Sequence, residues 1–146
     1  MVQNIKIRKM VYFDIPQIIK ILKKELNFKV SVNNEVWSKE QLERWVKSKS
    51  DVLLIAEQNK KIIGFVMFAC HGPTKKVMLE NAWVIPEFRG KRVIEKLVKH
   101  GLKLLKDKGF IYICSLVKID NISSIKFLEK LSFIKGFSFS WLYRRI

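Results

Sequence analysis

A chain of 146 residues and 17.3 kDa, with 49% hydrophobic and 29% charged residues, has the size and balance of one packed domain, expected to span 1–146. That excludes a disordered chain, a collagen-like repeat and a disulfide miniprotein; no apolar run nears the roughly 20 residues of a bilayer span. The polar start MVQNIKIRKM lacks a signal-peptide core, so a cytoplasmic location without membrane contact is expected.

Residues 5–10 alternate apolar and charged side chains, as a half-buried strand does. Asp14 precedes Ile15 and Pro16, an N-cap followed by a proline suited to a first helical turn. Ile15, Ile18, Ile19, Leu22 and Leu26 recur at helical spacing opposite Lys20, Lys23 and Lys24, which predicts an amphipathic helix ending near Asn27. A less regular stretch runs to Trp37. Ser38 and Gln41 then form a capping-box pattern opening a short helix to about Lys49. Apolar runs at 51–58 and 62–70 flank the turn residues Asn59, Lys60 and Lys61 and predict an antiparallel hairpin. A turn at His71, Gly72, Pro73 and Thr74 leads to a third strand over 77–85, stopped by Pro86.

Residues 92–107 repeat apolar positions at helical spacing, and Gly109 follows as a helix-ending glycine. The run 110–117 is nearly all apolar and predicts a strand buried on both faces. A helix over 121–131 and one or two strands over 133–143 complete the chain. The expected architecture is α+β: a mixed, mostly antiparallel sheet with helices on both faces. Cys70 and Cys114 lie in apolar runs at no metal-ligand spacing, so free buried thiols and no metal site are expected.

Chemistry concentrates where a strand ends and a helix begins, in VIPEFRGKRVIEKL from Val84 to Leu97. Open N–H groups and the positive dipole end of a helix make an anion site, and Arg89, Lys91 and Arg92 add three cations there. The chain as a whole resembles the GNAT superfamily of N-acetyltransferases. Residues 84–97 look like that family's acetyl-CoA loop, Q/R-x-x-G-x-G/A, and NISSIKFLEKLSF from Asn121 to Phe133 is similar to its second motif, N-x-x-A-x-x-F-Y-x-K-x-G-F. The early Asp14, Ile15 and Pro16 before an amphipathic helix are also typical of such enzymes. The resemblance covers essentially residues 5–143 and implies transfer of an acetyl group from acetyl-CoA to a primary amine by direct attack on the thioester.

It also implies site residues. Val84 and Ile85 would hold the pantetheine arm through backbone groups, and Arg89, Gly90, Lys91, Arg92, Val93 and Ile94 would cradle the pyrophosphate. Asn121 would bond the cofactor arm besides capping its helix, and Glu80 stands where many relatives place the base. Four positions depart from the family pattern: its loop glycines fall on Arg92 and Ile94, its motif tyrosine on Leu128 and its motif glycine on Ser132. Ile94, a β-branched residue, is expected to crowd the loop.

Other candidates compete for each role. His71 is an alternative base, Tyr112 and Tyr143 are alternative acids, and Cys114 is a thiol without a recognisable activating histidine. Trp37, Trp45, Trp83 and Trp141 suit core, substrate wall or base stacking equally. The acceptor pocket is expected from 27–37 and 137–143, and its amine belongs to a small molecule, a protein N-terminus or a lysine. An inactive module binding nucleic acid is the competing reading, since 29 Lys plus Arg against 13 Asp plus Glu leave a net charge of +16. Oligomeric state is not readable, though Phe137, Phe139 and Trp141 suit an edge that pairs.

Overall fold

Asn59 and Lys60 both take left-handed backbone angles, φ 50° and 62°. That is the conformation of a two-residue hairpin turn whose twist matches its strands, and it joins β2 (Val52–Gln58) to β3 (Lys61–His71). With β1 (Lys6–Lys9), β4 (Lys76–Val84) and β5 (Tyr112–Cys114) they form one sheet in the order β1-β2-β3-β4-β5. The first three junctions are antiparallel and the last is parallel. This is a computed structural model, and it describes residues 4–25, 28–29 and 35–146. The expected helix end at Leu26 and Asn27, and most of the stretch before Trp37, lie outside them. The chain forms two compact units, 1–116 and 117–146.

In the first unit, three helices follow from the apolar spacing: α1 (Ile15–Lys24), α2 (Lys39–Lys47) and α3 (Val93–Asp107). Alternation along β3 sorts them onto opposite faces. Phe65 and Met67 join one core with Ile15, Ile18 and Leu22 of α1 and Leu42 of α2. Gly64 and Phe68 face α3 instead: a Cβ on Gly64 would meet Val93 and Leu97 at 3.4 Å, and Gly101 rests on the Phe68 ring. The expected three layers are therefore present. Among the described residues no helix is long and apolar enough to cross a membrane.

The contact at Gly101 yields a first prediction. A Cβ there would lie 2.2 Å from Cε2 of the buried Phe68. Alanine gains about 1 kcal/mol of helix propensity over glycine, but overpacking a closed core costs about 1–3 kcal/mol. At so short a distance the clash wins, and Gly101→Ala should be about 2 kcal/mol less stable in urea unfolding.

Three expectations are corrected. The run 110–117 is not a strand buried on both faces: β5 has three residues, pairs with β4 only over Lys76–Met78, and leaves Ile111, Tyr112 and Leu116 exposed. It sits at the end of the sheet, where apolar sequence has one neighbour instead of two. Residues 133–143 form no strand, and Phe137, Phe139 and Trp141 are exposed. Asp14 does occupy the N-cap of α1, but its carboxylate makes no bond to that helix. It turns back to accept from the Val11 N–H at 2.8 Å and from Arg8.

Candidate active site

The sheet carries an irregularity where the chemistry was expected. Met67 pairs with Asn81 and Phe68 with Leu79, so Glu80 is an extra residue without a partner on β3. Such a bulge bends its strand and re-aims side chains. Glu80 is half-buried, and burial holds its carboxyl above the ordinary value. Among the described residues no hydrogen bond or ion pair reaches that carboxylate. A desolvated, unpaired carboxylate costs stability, which makes it a candidate for proton transfer. Beside it, buried Asn81 accepts a hydrogen bond from Trp37 Nε1 at 2.8 Å. This bond ties the segment before α2 to the strand next to Glu80. Sequence reading missed Asn81; its signal was a pair of polar residues interrupting an apolar strand.

Beyond the bulge, β4 and β5 part. Pairing stops at Met78, and Ser115 Oγ adds one last bond to the Leu79 carbonyl at 3.0 Å. From Glu80 to Val84 that edge of β4 has no strand partner among the described residues. Backbone groups of successive strand residues point to opposite edges. Ile85 donates to the Ile63 carbonyl at 2.9 Å and accepts from the Phe88 N–H at 3.0 Å, so its backbone is already engaged. By alternation the Val84 N–H and C=O face the open edge. Of the two residues expected to hold an extended arm, Val84 keeps the free groups and Ile85 does not.

The open edge leads into a short 3-10 turn (Pro86–Phe88) and then α3. Gly90 has φ 76° and Arg92, at the N-cap of α3, has φ 59°. Arg92 gives the helix no side-chain cap, so the first-turn amides of Val93 and Ile94 are presented to a ligand together with the positive dipole end. Arg89, Lys91 and Arg92 are exposed, and no carboxylate pairs with them among the described residues. Lys91 Nζ lies 4.8 Å over the Phe88 ring, which leaves the two arginines as the freer cations. Ile94 belongs to the first turn of α3 and is half-buried.

Arg92 therefore holds the left-handed angle that the resemblance assigns to glycine. A side chain in that region costs about 1 kcal/mol. Arg92→Gly should raise the unfolding free energy by about 1 kcal/mol, measured by urea denaturation, while removing a cation from the loop.

Several candidates fall away from this region. His71 pairs with Lys76 at the opposite end of β4 from Val84, its Nδ1 2.7 Å from Thr74 Oγ1. Burial, reinforced by the Asp51 charge, pushes the Cys70 thiol up to about 12, which leaves it protonated. Cys114 Sγ sits against the Val77 carbonyl at 3.6 Å. Trp37 and Trp45 pack edge to face, and Trp83 stacks on Phe65 while donating to Glu25 Oε1 at 3.0 Å. Tyr112 is exposed on β5. Among the described residues no group of His, Cys, Asp and Glu could hold a metal ion.

In the second unit, α4 (Ile122–Lys130) begins at Asn121, whose side-chain oxygen accepts from the Ser124 N–H at 3.3 Å. The expected N-cap role is present, and the carboxamide NH2 is left for a ligand. Leu128 is buried, so no hydroxyl stands at that position. Ser132 closes the helix with φ 67°, a second left-handed angle where the family motif has glycine. Tyr143 is exposed.

Residues 15–133 match the acetyltransferase (GNAT) family. No curated protein matches the chain. Among solved structures it is similar to the PaiA N-acetyltransferase from Thermoplasma acidophilum in complex with coenzyme A. That likeness has a TM-score of 0.76 and 22% identity, over 88% of this chain and 89% of that one. It is similar to AAC(6')-Iy in complex with the bisubstrate analogue CoA-S-monomethyl-acetylneamine, at 0.77 and 20%, over 99% and 100%. A transcriptional regulator from Bacillus halodurans C-125 gives 0.78 and 17%, over 97% and 100%. Identities this low establish the shared fold alone. Membership rests on the family match across most of the chain: it belongs to the acetyltransferase (GNAT) family, the acetyl-CoA-dependent N-acetyltransferases.

Proposed function

We propose that this chain transfers the acetyl group of acetyl-CoA to an amine with Glu80 as base and the β4 edge and α3 start as the donor site. The observation that carries the reading is the unpaired edge of β4 from Glu80 to Val84, which runs directly into the uncapped, cationic start of α3. An extended pantetheine arm adds to such an edge as a further strand would, through the Val84 N–H and C=O. The pyrophosphate then meets the amides of Val93 and Ile94, with Arg89, Gly90, Lys91 and Arg92 around it. Guanidinium groups suit phosphate oxygens geometrically, so Arg92 replaces by charge what a glycine supplies by close backbone approach. The family's second motif assigns Asn121 to the cofactor arm as well.

The chemistry follows from this placement. The attacking amine must be neutral, and Glu80 takes its proton directly or through water; a carboxyl raised by burial is the better proton acceptor. Attack on the thioester puts negative charge on its oxygen, which a further backbone N–H of that open edge would stabilise. With Leu128 in place of a motif tyrosine, the departing thiolate takes its proton from water. The segment at Trp37, held beside Glu80 through Asn81, forms part of the acceptor side. The net charge of +16 favours acidic acceptors over polyamines.

Calorimetric titration with acetyl-CoA at about physiological salt, with inorganic triphosphate as polyanion control, tests the site. Arg89→Glu and Arg92→Glu should each weaken acetyl-CoA about tenfold, about 1.4 kcal/mol. Unchanged affinity in both variants rejects the assigned loop. An inactive polyanion-binding module is the less favoured reading; it requires equal affinity for triphosphate and acetyl-CoA.

A further inference from the structure

The outer face of α3 carries charge of one sign. Lys96, Lys99, Lys103 and Lys106 recur at steps of three and four, and all four are exposed. On a regular helix they fall within about 80° of arc, in a row about 15 Å long with about 5 Å of rise between neighbours. Glu95 flanks the row and pairs with Lys99 at 2.7 Å. Among the described residues no ion pair reaches Lys96, Lys103 or Lys106. α2 shows the contrast: Glu40 and Glu43 stand among Lys39, Arg44 and Lys47, and Lys39 lies 3.7 Å from Glu43. A face that serves only solubility mixes both signs in that way. A row of one sign repels itself, and a polyanion relieves the repulsion.

The residues of α3 also narrow the class of polyanion. Val93, Leu97, Val98 and Leu105 are buried, so the helix has no apolar face left to lay into a lipid surface. It contains no Phe, Tyr or Trp to stack on the bases of a single strand. It contains no Ser, Thr, Asn or Gln to bond a base edge or a 2′-hydroxyl. What remains is a rigid line of ammonium groups, each a point charge suited to one phosphate. Duplex DNA offers such phosphates at regular intervals, about 3.4 Å of axis apart on each strand. We propose that the outer face of α3 docks the phosphate backbone of duplex DNA without regard to base sequence. The row begins one turn past the donor loop, so docking requires no acetyl transfer. The net charge of +16 adds attraction at longer range.

Fluorescence anisotropy of a labelled DNA duplex of about 20 base pairs, two helical turns, reads the docking. Affinity for the full chain should fall steeply between about 50 and 200 mM salt, with a logarithmic slope of about −4 or steeper. Replacing Lys96, Lys99, Lys103 and Lys106 together by glutamine keeps good helix formers at exposed positions, and thermal melting should match the native protein. That variant should lose about 3 to 4 from the slope and bind about 100-fold more weakly at about 100 mM salt. A control, Lys20→Gln with Lys24→Gln, Lys60→Gln and Lys61→Gln, removes as much charge from exposed positions elsewhere. It should weaken binding less than about threefold, since distant charges are screened. Absence of DNA binding at low salt overturns the proposal. Equal losses in the two variants also overturn it, because the attraction would then be diffuse. So does tighter binding of phosphatidylserine vesicles, polyglutamate, a single strand or an RNA duplex, each of which names a different partner.

Discussion

Glu80→Gln should lower kcat/KM for acetyl transfer by about 100- to 1,000-fold, the usual contribution of a positioned base, while leaving acetyl-CoA affinity unchanged. The carboxylate stands at a bulge, half-buried and without a partner among the described residues, and burial raises its proton affinity. As a base it must be ionised, so activity in the native enzyme falls as pH drops through this raised value. The acid limb should therefore lie above the ordinary glutamate value of about 4.3 and disappear in the variant. Stability runs the other way. A carboxyl raised in the folded state contributes stability below its unfolded value and loses it as pH rises through the folded one. At neutral pH glutamine removes a desolvated charge, and the melting temperature should not fall. A variant that keeps full activity removes Glu80 from the reaction. One that melts lower shows instead that the carboxylate was holding the fold together.

Asp14→Asn should lower stability by about 3 kcal/mol, the lower end for breaking a largely buried ion pair. Arg8 donates to both carboxylate oxygens, at 2.8 Å and 2.9 Å, and reaches Glu57 at 2.8 Å. The cluster joins β1, the turn before α1 and β2. Burial alone would push the Asp14 carboxyl up; the Arg8 hydrogen bonds, the Val11 N–H and the Arg8 charge together outweigh it and hold the group below its ordinary value. The same partners raise Arg8 against its own desolvation. A depressed carboxyl contributes stability above its unfolded value, near 3.9, and loses it as pH falls through the folded one. Unfolding free energy measured from neutral to acid pH should therefore drop more steeply in the native protein than in Asp14→Asn. Parallel curves would show that the ion pair carries no pH-linked stability.

These two sites differ in how far they could be read beforehand. Signals that act within a few residues were legible. Ser38 accepts from the Gln41 N–H, Asn121 caps α4, and Asn59 and Lys60 turn the hairpin as their positions suggested. Each depends only on neighbours in the chain. Asp14 shows the limit: its N-cap position was right, but Arg8 and the Val11 N–H compete for the same oxygens and win. The resemblance marked Glu80 and the loop at Arg92, yet what sets each apart in the structure is a register shift and a backbone angle. Neither leaves a mark on hydrophobic spacing.

Composition and apolar periodicity by themselves determined the α+β class and the order of most elements, because those depend on which face of each element must leave water, and two motifs carried the resemblance to the acetyltransferase family. The tertiary structure alone decided where β4 bulges and where β4 and β5 part. It also decided which of Val84 and Ile85 keeps its backbone groups, and that 110–117 and 133–143 do not become long buried strands. Those outcomes depend on pairing between segments far apart in the chain. A strand exists only where another backbone completes its hydrogen bonds, and no run of apolar residues specifies that partner.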